Sequence, residues 1–144
     1  MNSDRLDLVL DCNEEEATYI HEKLIEHNIK FITHFEEFKF CLKDHEGKII
    51  GGIIASKDNE CMTIDFLWVD EDKRGKGLGR ILVNHLEAVA ERRGCVVIWL
   101  NTFEFQGPEF YKRMNYELFG TLEKCINGYS QYFFRKALKP SSRR

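Results

Sequence analysis

The chain has 144 residues, of which 43% are hydrophobic and 31% are charged, and its net charge is −3. This composition suits one globular domain with a substantial core, and the acidic balance argues against a nucleic-acid partner. No apolar run approaches the roughly 20 residues that cross a bilayer, and the first residues lack a signal-peptide pattern, so no membrane partner is expected. The five cysteines are scattered without a Cys-x-x-Cys pair, which is typical of a cytoplasmic protein.

Residues 1–138 are predicted to form a single domain and residues 139–144 a polar tail. Near the start, Leu6–Leu10 is predicted to be a short apolar strand. Asn13 then caps a helix, and Glu16 completes a capping-box pattern. This helix carries an apolar stripe that is expected to be buried, namely Ala17, Ile20, Leu24 and Ile25.

The next part of the chain predicts an antiparallel meander. The stretch Ile29–Phe38 shows no clear period and is predicted to be an irregular or partly helical connection. Three strands joined by tight turns follow it: Phe38–Leu42, Ile49–Ala55 and Cys61–Val69.

The second half predicts a helix that connects two parallel strands. The helix begins at Gly79 and ends at Gly94. Its predicted core positions are Ile81, Leu82, Leu86, Val89 and Ala90. The apolar run Cys95–Leu100 is the next strand, and a right-handed crossover would place it parallel to Cys61–Val69.

A short helix and a hairpin complete the predicted fold. Pro108 suits the first turn of the helix and Asn115 its left-handed exit. The hairpin consists of Tyr116–Leu122 and Tyr129–Leu138, linked around Asn127-Gly128. The expected fold class is therefore α/β, with a mixed, mostly antiparallel central sheet flanked by helices on both faces.

The segment Arg74-Gly75-Lys76-Gly77-Leu78-Gly79 lies between a strand and a helix and predicts a phosphate-binding turn. Backbone N–H groups at a helix N-terminus bind phosphate well, and glycines allow the ligand to approach the backbone. A Walker A loop is excluded because Gly77, and not Ser or Thr, follows Lys76. A dinucleotide fingerprint is excluded because Arg80 stands where a third glycine would be needed.

The pattern Arg-x-x-Gly-x-Gly resembles the acyl-CoA pyrophosphate loop of the GNAT (general amine N-acetyltransferase) superfamily. The strand before the loop and the helix and apolar strand after it occur in the same order as in the family. Pro108–Glu117 is similar to the later family segment that contains an internal tyrosine. The resemblance extends from about Ile49 to Leu138 and is weak over the first 48 residues. It implies acetyl-CoA as cosubstrate, no metal, and a parallel strand pair that splays to hold the CoA.

Carried over by position, the resemblance implies two sets of cofactor contacts. Leu67, Trp68 and Val69 would offer backbone groups to pantetheine and to the thioester carbonyl. The phosphates would be held by Arg74, Gly75, Lys76, Gly77, Leu78 and Gly79. Asn101, at the end of the second parallel strand, would bond the cofactor amide or the substrate; the alternative is a polar strand end.

Two catalytic residues are candidates. Tyr111 matches the family's tyrosine near the sulfur, where a phenol would protonate the departing thiolate; the alternative is a core aromatic. Asp65 is the candidate base, and strand alternation would place it on one face with Thr63 and Leu67. An aspartate bonded to neighbouring N–H groups is equally compatible with the sequence, and the glutamate that some family members carry on this strand would fall near Thr63.

The expected function is transfer of an acetyl group from acetyl-CoA to a primary amine of a small molecule or peptide, by direct attack in a ternary complex. The alternative is a non-catalytic acyl-CoA-binding or regulatory module with the same fold. Specificity is expected from Glu14–Phe38 and from the hairpin Thr121–Gly128, next to which Tyr129 replaces a histidine that is frequent in the family. The aromatic strand Tyr129–Phe134 is expected at a sheet edge, where it would pair in a homodimer.

Overall fold

A computed structural model of the chain describes residues 4–141. They fall into two compact units, Met1–Thr33 and His34–Arg144. The last residues of the predicted tail, 142–144, lie outside the described residues. Backbone N–H groups of Lys139 and Ser141 donate to the side chain and the carbonyl of Glu91, so the start of this tail is hydrogen-bonded.

The first unit contains helix α1, Glu14–Asn28, whose capping box is confirmed. The Glu16 N–H donates to Asn13 Oδ1 at 2.8 Å, and the Asn13 N–H donates to Glu16 Oε1 at 2.9 Å. The strand predicted over Leu6–Leu10 is wrong, because this segment forms no sheet pairing in the structure. The buried stripe is also wrong, since none of the α1 residues is buried. A unit of this size with a single helix offers no second element that could cover an apolar face.

The second unit is built on a six-stranded sheet with strand order β1-β2-β3-β4-β6-β5. The elements are β1 (Phe35–Lys43), β2 (Ile49–Asp58), β3 (Cys61–Val69), α2 (Leu78–Arg92), β4 (Val97–Phe103), α3 (Pro108–Arg113), β5 (Glu117–Ile126) and β6 (Tyr129–Ala137). Among these strands β3 and β4 are parallel and the other neighbours are antiparallel. The mixed, mostly antiparallel sheet with one parallel pair is therefore confirmed.

Two of the predicted strand starts differ from the structure for local reasons. Strand β1 already begins at Phe35, inside the stretch predicted to be irregular, because its first residue pairs with Asp58 at the end of a longer β2. Strand β4 begins at Val97 and not at Cys95. The Cys95 N–H donates to the Ala90 carbonyl and the left-handed Gly94 N–H to the Glu91 carbonyl, which is a Schellman motif that ends α2.

The core lies on the sheet face that carries Ile98, Leu100 and Phe134, and both α2 and α3 contribute buried residues to it. Four of the five core positions predicted on α2 are buried. The exception is Ile81, which is 52% exposed, while Val83 is buried in its place.

The edge strand was predicted wrongly. Strand β6 pairs with β4 on one side and with β5 on the other, so Tyr129–Phe134 lies inside the sheet. The edges are β1 and β5.

Candidate active site

The parallel pair β3/β4 opens into a cleft. Pairing runs from Cys61↔Val97 to Thr63↔Trp99 and then stops, although both strands continue for several residues. Beyond this point the strands diverge around a cleft of about 730 Å³, a size typical of small-molecule sites. Its walls come from the second half of β3, the glycine-rich loop, the start of α2, the end of β4 and α3.

A β-bulge in β3 accompanies this opening. Ala55 of β2 pairs with Ile64 and Ile54 pairs with Phe66, so Asp65 is an extra residue in the ladder. A bulge bends its strand and increases the local twist. Because the bulge directly follows the last β3/β4 pair, it turns β3 away from β4 where the cleft begins.

The bulge also reverses which residues of β3 face the core. Met62 and Ile64 are buried before it, whereas Leu67 and Val69 pack against the core after it. Asp65 is exposed and lines the cleft. The prediction that Asp65 shares a face with Leu67 is therefore wrong, because regular alternation does not continue through an inserted residue.

The Asp65 carboxylate is open to the cleft. Within the part of the chain that the structure describes, no backbone N–H donates to it. An aspartate tied to neighbouring amides was one of the two interpretations of the sequence, and the structure shows no such bond; the role of a base stays a prediction.

The glycine-rich loop has the backbone conformation that only glycine adopts readily. Gly75 and Gly77 have φ values of +77° and +82°, and a Cβ on either would meet no atom within 4 Å. Gly77 is the N-cap of α2 and has no side chain to satisfy the first N–H groups of the helix. These donors are therefore left for a ligand at the cleft. Gly79 has a packing role, because a Cβ there would lie 3.2 Å from the Phe110 ring.

Four cationic side chains line the cleft: Lys73, Arg74, Arg80 and Arg113. Arg74 was predicted to contact phosphate, and its Nε donates to the Val69 carbonyl at 3.0 Å, which also ties the loop back to β3. Lys76 was predicted as well, but it is not part of the cleft wall. Lys73, Arg80 and Arg113 lie outside the segment Arg74–Gly79 that the sequence marks as the phosphate loop, and only the fold shows that they line the cleft.

Tyr111 lies in the same cleft. It is 6% exposed, and its ring packs against Phe110, Tyr116 and Phe134 with centroid distances of 5.1, 5.7 and 6.1 Å. Burial raises the pKa of the phenol above its ordinary value, so the hydroxyl stays protonated at neutral pH. No residue between 4 and 141 hydrogen-bonds this hydroxyl, and it is not sealed off from the cleft.

A polar network lies behind Tyr111. The Tyr116 hydroxyl donates to Glu87 at 2.7 Å, and Lys136 Nζ donates to the same carboxylate at 3.1 Å and to the Met114 carbonyl at 3.2 Å. Burial and the adjacent Glu87 charge raise the pKa of Tyr116. The network joins α2, the exit of α3 and β6, and so supports the element that carries Tyr111.

Asn101 lies on the other side of β4 from the buried Leu100 and Thr102, yet it lines the same cleft. Its Oδ1 accepts a hydrogen bond from Gln131 Nε2 at 2.9 Å, which leaves its amide N–H groups for a ligand. The cleft therefore passes between the strands and takes residues from both faces of the sheet.

The structure brings the predicted site residues together. With the exception of Lys76, all of them line this one cleft: Asp65, Leu67, Trp68, Val69, Arg74, Gly75, Gly77, Leu78, Gly79, Asn101 and Tyr111. Within residues 4–141, no three His, Cys, Asp or Glu side chains are grouped as metal ligands would be. No helix in that range is long and apolar enough to span a membrane.

Comparisons with known proteins agree with this architecture. The chain is 34% identical over 93 residues to blasticidin-S acetyltransferase of Streptomyces morookaense, covering 64% of this chain and 68% of the relative. The crystal structure of an acetyltransferase from Bacillus cereus ATCC 14579 is 38% identical, with a TM-score of 0.85 over 92% of this chain and 98% of that one. A Bacillus anthracis str. Ames protein solved in complex with acetyl coenzyme A shares the fold, with 19% identity and a TM-score of 0.65 over 76% of this chain and 66% of that one. A family model described as the acetyltransferase (GNAT) family matches residues 6–116, and the chain belongs to that family.

Proposed function

We propose that the protein transfers the acetyl group of acetyl-CoA to a primary amine of a small molecule or peptide, by direct attack in a ternary complex. The observation that carries this proposal is the cleft between β3 and β4, which has a glycine-capped helix start on one wall and Asp65 and Tyr111 on its others. The relative solved with acetyl coenzyme A supports the choice of cosubstrate. The name of the blasticidin-S acetyltransferase supports a small-molecule acceptor.

The cosubstrate would bind largely through backbone groups. Its pyrophosphate would lie against the N–H groups at the start of α2, beside the cations of the loop. Strand β3 has no pairing with β4 beyond Thr63, so the backbone groups of Leu67, Trp68 and Val69 that face away from β2 would be offered to pantetheine and to the thioester carbonyl, apart from the Val69 carbonyl that Arg74 contacts. A donor to that carbonyl would stabilise the charge that develops on its oxygen.

Transfer requires a neutral amine and a protonated leaving group. Asp65 would accept a proton from the acceptor amine, directly or through water. The nitrogen would then attack the thioester carbon, so that a C–N bond forms and the C–S bond breaks, and the proton that this nitrogen loses would replace, through water, the one that Tyr111 gives to the sulfur. The Tyr111 hydroxyl would donate to the departing sulfur, which leaves as the CoA thiol. Its raised pKa keeps this donor protonated throughout the neutral range.

A non-catalytic acyl-CoA-binding or regulatory module is the second candidate. Such a module needs the loop but neither the open Asp65 carboxylate nor a tyrosine hydroxyl in the cleft. Release of CoA thiol from acetyl-CoA on addition of a mixture of primary amines separates the two, because the module releases none.

Gly77→Val tests the cosubstrate site, and Gly47→Val is a matched control. Both glycines have a left-handed φ and open space around them, but Gly47 lies in the β1–β2 turn, away from the cleft. Each variant should lose about 1–2 kcal/mol of stability from backbone strain. Calorimetry should show acetyl-CoA affinity falling by about 10- to 100-fold for Gly77→Val alone, because the added side chain disturbs the pyrophosphate donors. Equal affinity in the two folded variants would refute this site.

We also propose a homodimer located in the cytoplasm. The free edge of β5 supports the dimer, because unpaired strand edges favour association, and the five free thiols suit a reducing compartment. A light-scattering mass of 17.0 kDa at working concentration would contradict the dimer.

A further inference from the structure

Three aromatic side chains form a surface where β4 ends, here called the aromatic platform: Phe103, Phe105 and Tyr129. The Phe103 and Phe105 rings are stacked, with centroids 5.2 Å apart and planes 5° from parallel. The Tyr129 ring meets Phe105 edge-on at 5.4 Å. Phe105 is 56% exposed and lines the cleft, and Tyr129 is 45% exposed. The platform is therefore an exposed aromatic extension of the cleft wall.

Hydrogen bonds hold the platform in place. The Glu104 N–H donates to the Ser130 carbonyl at 2.9 Å, and the Ser130 N–H donates to Glu104 Oε1 at 3.0 Å. The Phe103 N–H donates to Gln106 Oε1 at 2.8 Å, and the Gln106 N–H donates back to the Phe103 carbonyl at 2.9 Å. The loop that carries Phe105 is thus fixed both to itself and to the start of β6, which carries Tyr129. A fixed surface binds a ligand without first being ordered.

Part of the platform lies on the face of β4 opposite the core. Phe103 and Asn101 share a face of β4, while Leu100 faces the core to which Tyr111 belongs. The cations of the cleft belong to the loop, α2 and α3, where the phosphates would be held. The charged side chain between the two phenylalanines is Glu104, an acid. An amine that enters over the platform would therefore reach the cleft between β3 and β4 from the face opposite Tyr111, away from the cationic side chains.

Flat rings are the groups that such a surface recognises best. Stacking and edge-to-face contacts add binding energy beyond area burial, and aromatic faces also attract the ammonium form of an amine. We infer that the platform holds a planar unsaturated ring of the acceptor, so that the acceptors are primary amines joined by a short chain to an aromatic or heteroaromatic ring. This inference rests on the proposed acetyl transfer.

The test uses the full-length protein, acetyl-CoA and a matched pair of amines, phenethylamine and cyclohexylethylamine. The two differ in the flatness of the ring and share the chain and the amine. We expect the wild-type kcat/KM to favour phenethylamine by about 5- to 20-fold. Phe105→Leu and Tyr129→Leu should each bring this ratio close to one. Phe35→Leu is the control, because Phe35 is an exposed aromatic residue of β1 outside the cleft, and it should leave the ratio unchanged.

Three results would overturn the inference while the transferase function stands. The first is a wild-type ratio near one together with CoA release from either amine. The second is a preference for phenethylamine that persists in both platform variants, each shown to be folded by its melting temperature. Turnover of n-hexylamine or glucosamine with none of phenethylamine would likewise overturn it. By contrast, failure of acetyl-CoA to bind in calorimetry, with no thiol release from any amine, would reject the proposed function itself.

Discussion

Replacing Tyr111 by phenylalanine removes one hydroxyl and leaves the ring packing intact. The structure gives a sharp expectation for this change, because within residues 4–141 nothing hydrogen-bonds that hydroxyl while the ring touches three other aromatic side chains. Folding stability should therefore stay within about 0.5 kcal/mol of the wild type. The turnover rate should fall by about 10- to 1000-fold, the range for loss of one general acid or one strong hydrogen bond in the transition state.

Tyr116→Phe is the matched control, since Tyr116 adjoins Tyr111 but lies outside the cleft wall. Its hydroxyl donates to the Glu87 carboxylate, so its removal should cost about 1.5–3 kcal/mol, the usual range for a hydrogen bond to a charged group. Turnover should change little. The two variants are thus expected to give opposite results, one losing rate and the other losing stability.

The assay measures thiol release under saturating amine, with the melting temperature recorded for each variant. The KM for acetyl-CoA should move little in Tyr111→Phe, because the lost interaction strengthens mainly as the sulfur departs. Wild-type turnover in a folded Tyr111→Phe protein at every pH would refute the reasoning and make this residue a core aromatic. Equal loss of rate in the two variants would also refute it, because the effect would then come from packing.

Three further predictions follow from charged and titrating groups. Asp65→Asn should lower kcat/KM for the amine by about 100-fold near neutral pH, and the loss should shrink at high pH, where more of the amine is already neutral. Arg80→Met and Arg113→Met should each raise the acetyl-CoA dissociation constant by about 3- to 10-fold at low salt, with a smaller change at about 0.5 M salt because exposed charges are screened. The pKa values of Tyr111 and Tyr116 are raised in the folded protein. The unfolded chain therefore releases protons first above about pH 10, so the urea midpoint should fall there and hold steady below, and either Tyr→Phe variant should flatten that fall.

The parts of the fold that depend on local signals could be predicted from the sequence. The capping box at Asn13, the left-handed exit at Asn115 and the hairpin turn at Asn127-Gly128 all occur as expected. The parallel crossover through α2 also occurs as expected. A strand, a helix and a second apolar strand in succession are most often connected so that the two strands lie parallel in one sheet.

The errors concern features that depend on distant partners. Tyr129–Phe134 was expected to form an edge strand, but in the strand order of the sheet β6 lies between β4 and β5, and β5 is the edge strand. The apolar residues of α1 predict a buried stripe, but periodicity states only that a face is apolar and not whether anything covers it.

The residues of the candidate site also divide into those that sequence patterns predict and those that only the fold brings to the cleft. Glycines of the loop and the tyrosine of α3 carry recognisable spacing, whereas Lys73, Arg80 and Arg113 belong to no such pattern and are assigned to the cleft only by the fold. The face of Asp65 could not be derived, because no residue type in Ile64–Phe66 signals that one residue is extra to the ladder. Alternation is a sound rule until an insertion breaks it.

That insertion separates the packing of β3 from the opening of the cleft. Upstream of Asp65 the even-numbered side chains point inward, and downstream the odd-numbered ones do. Loss of the Asp65 codon would restore an unbroken period in which Leu67 and Val69 still face the core, because Leu67 would then follow Ile64 by two positions. The bend that turns β3 away from β4 would be lost with the extra residue. A deletion at this point should therefore leave the sheet packed but narrow the cleft, whereas exchange of Asp65 for another residue leaves the bend in place.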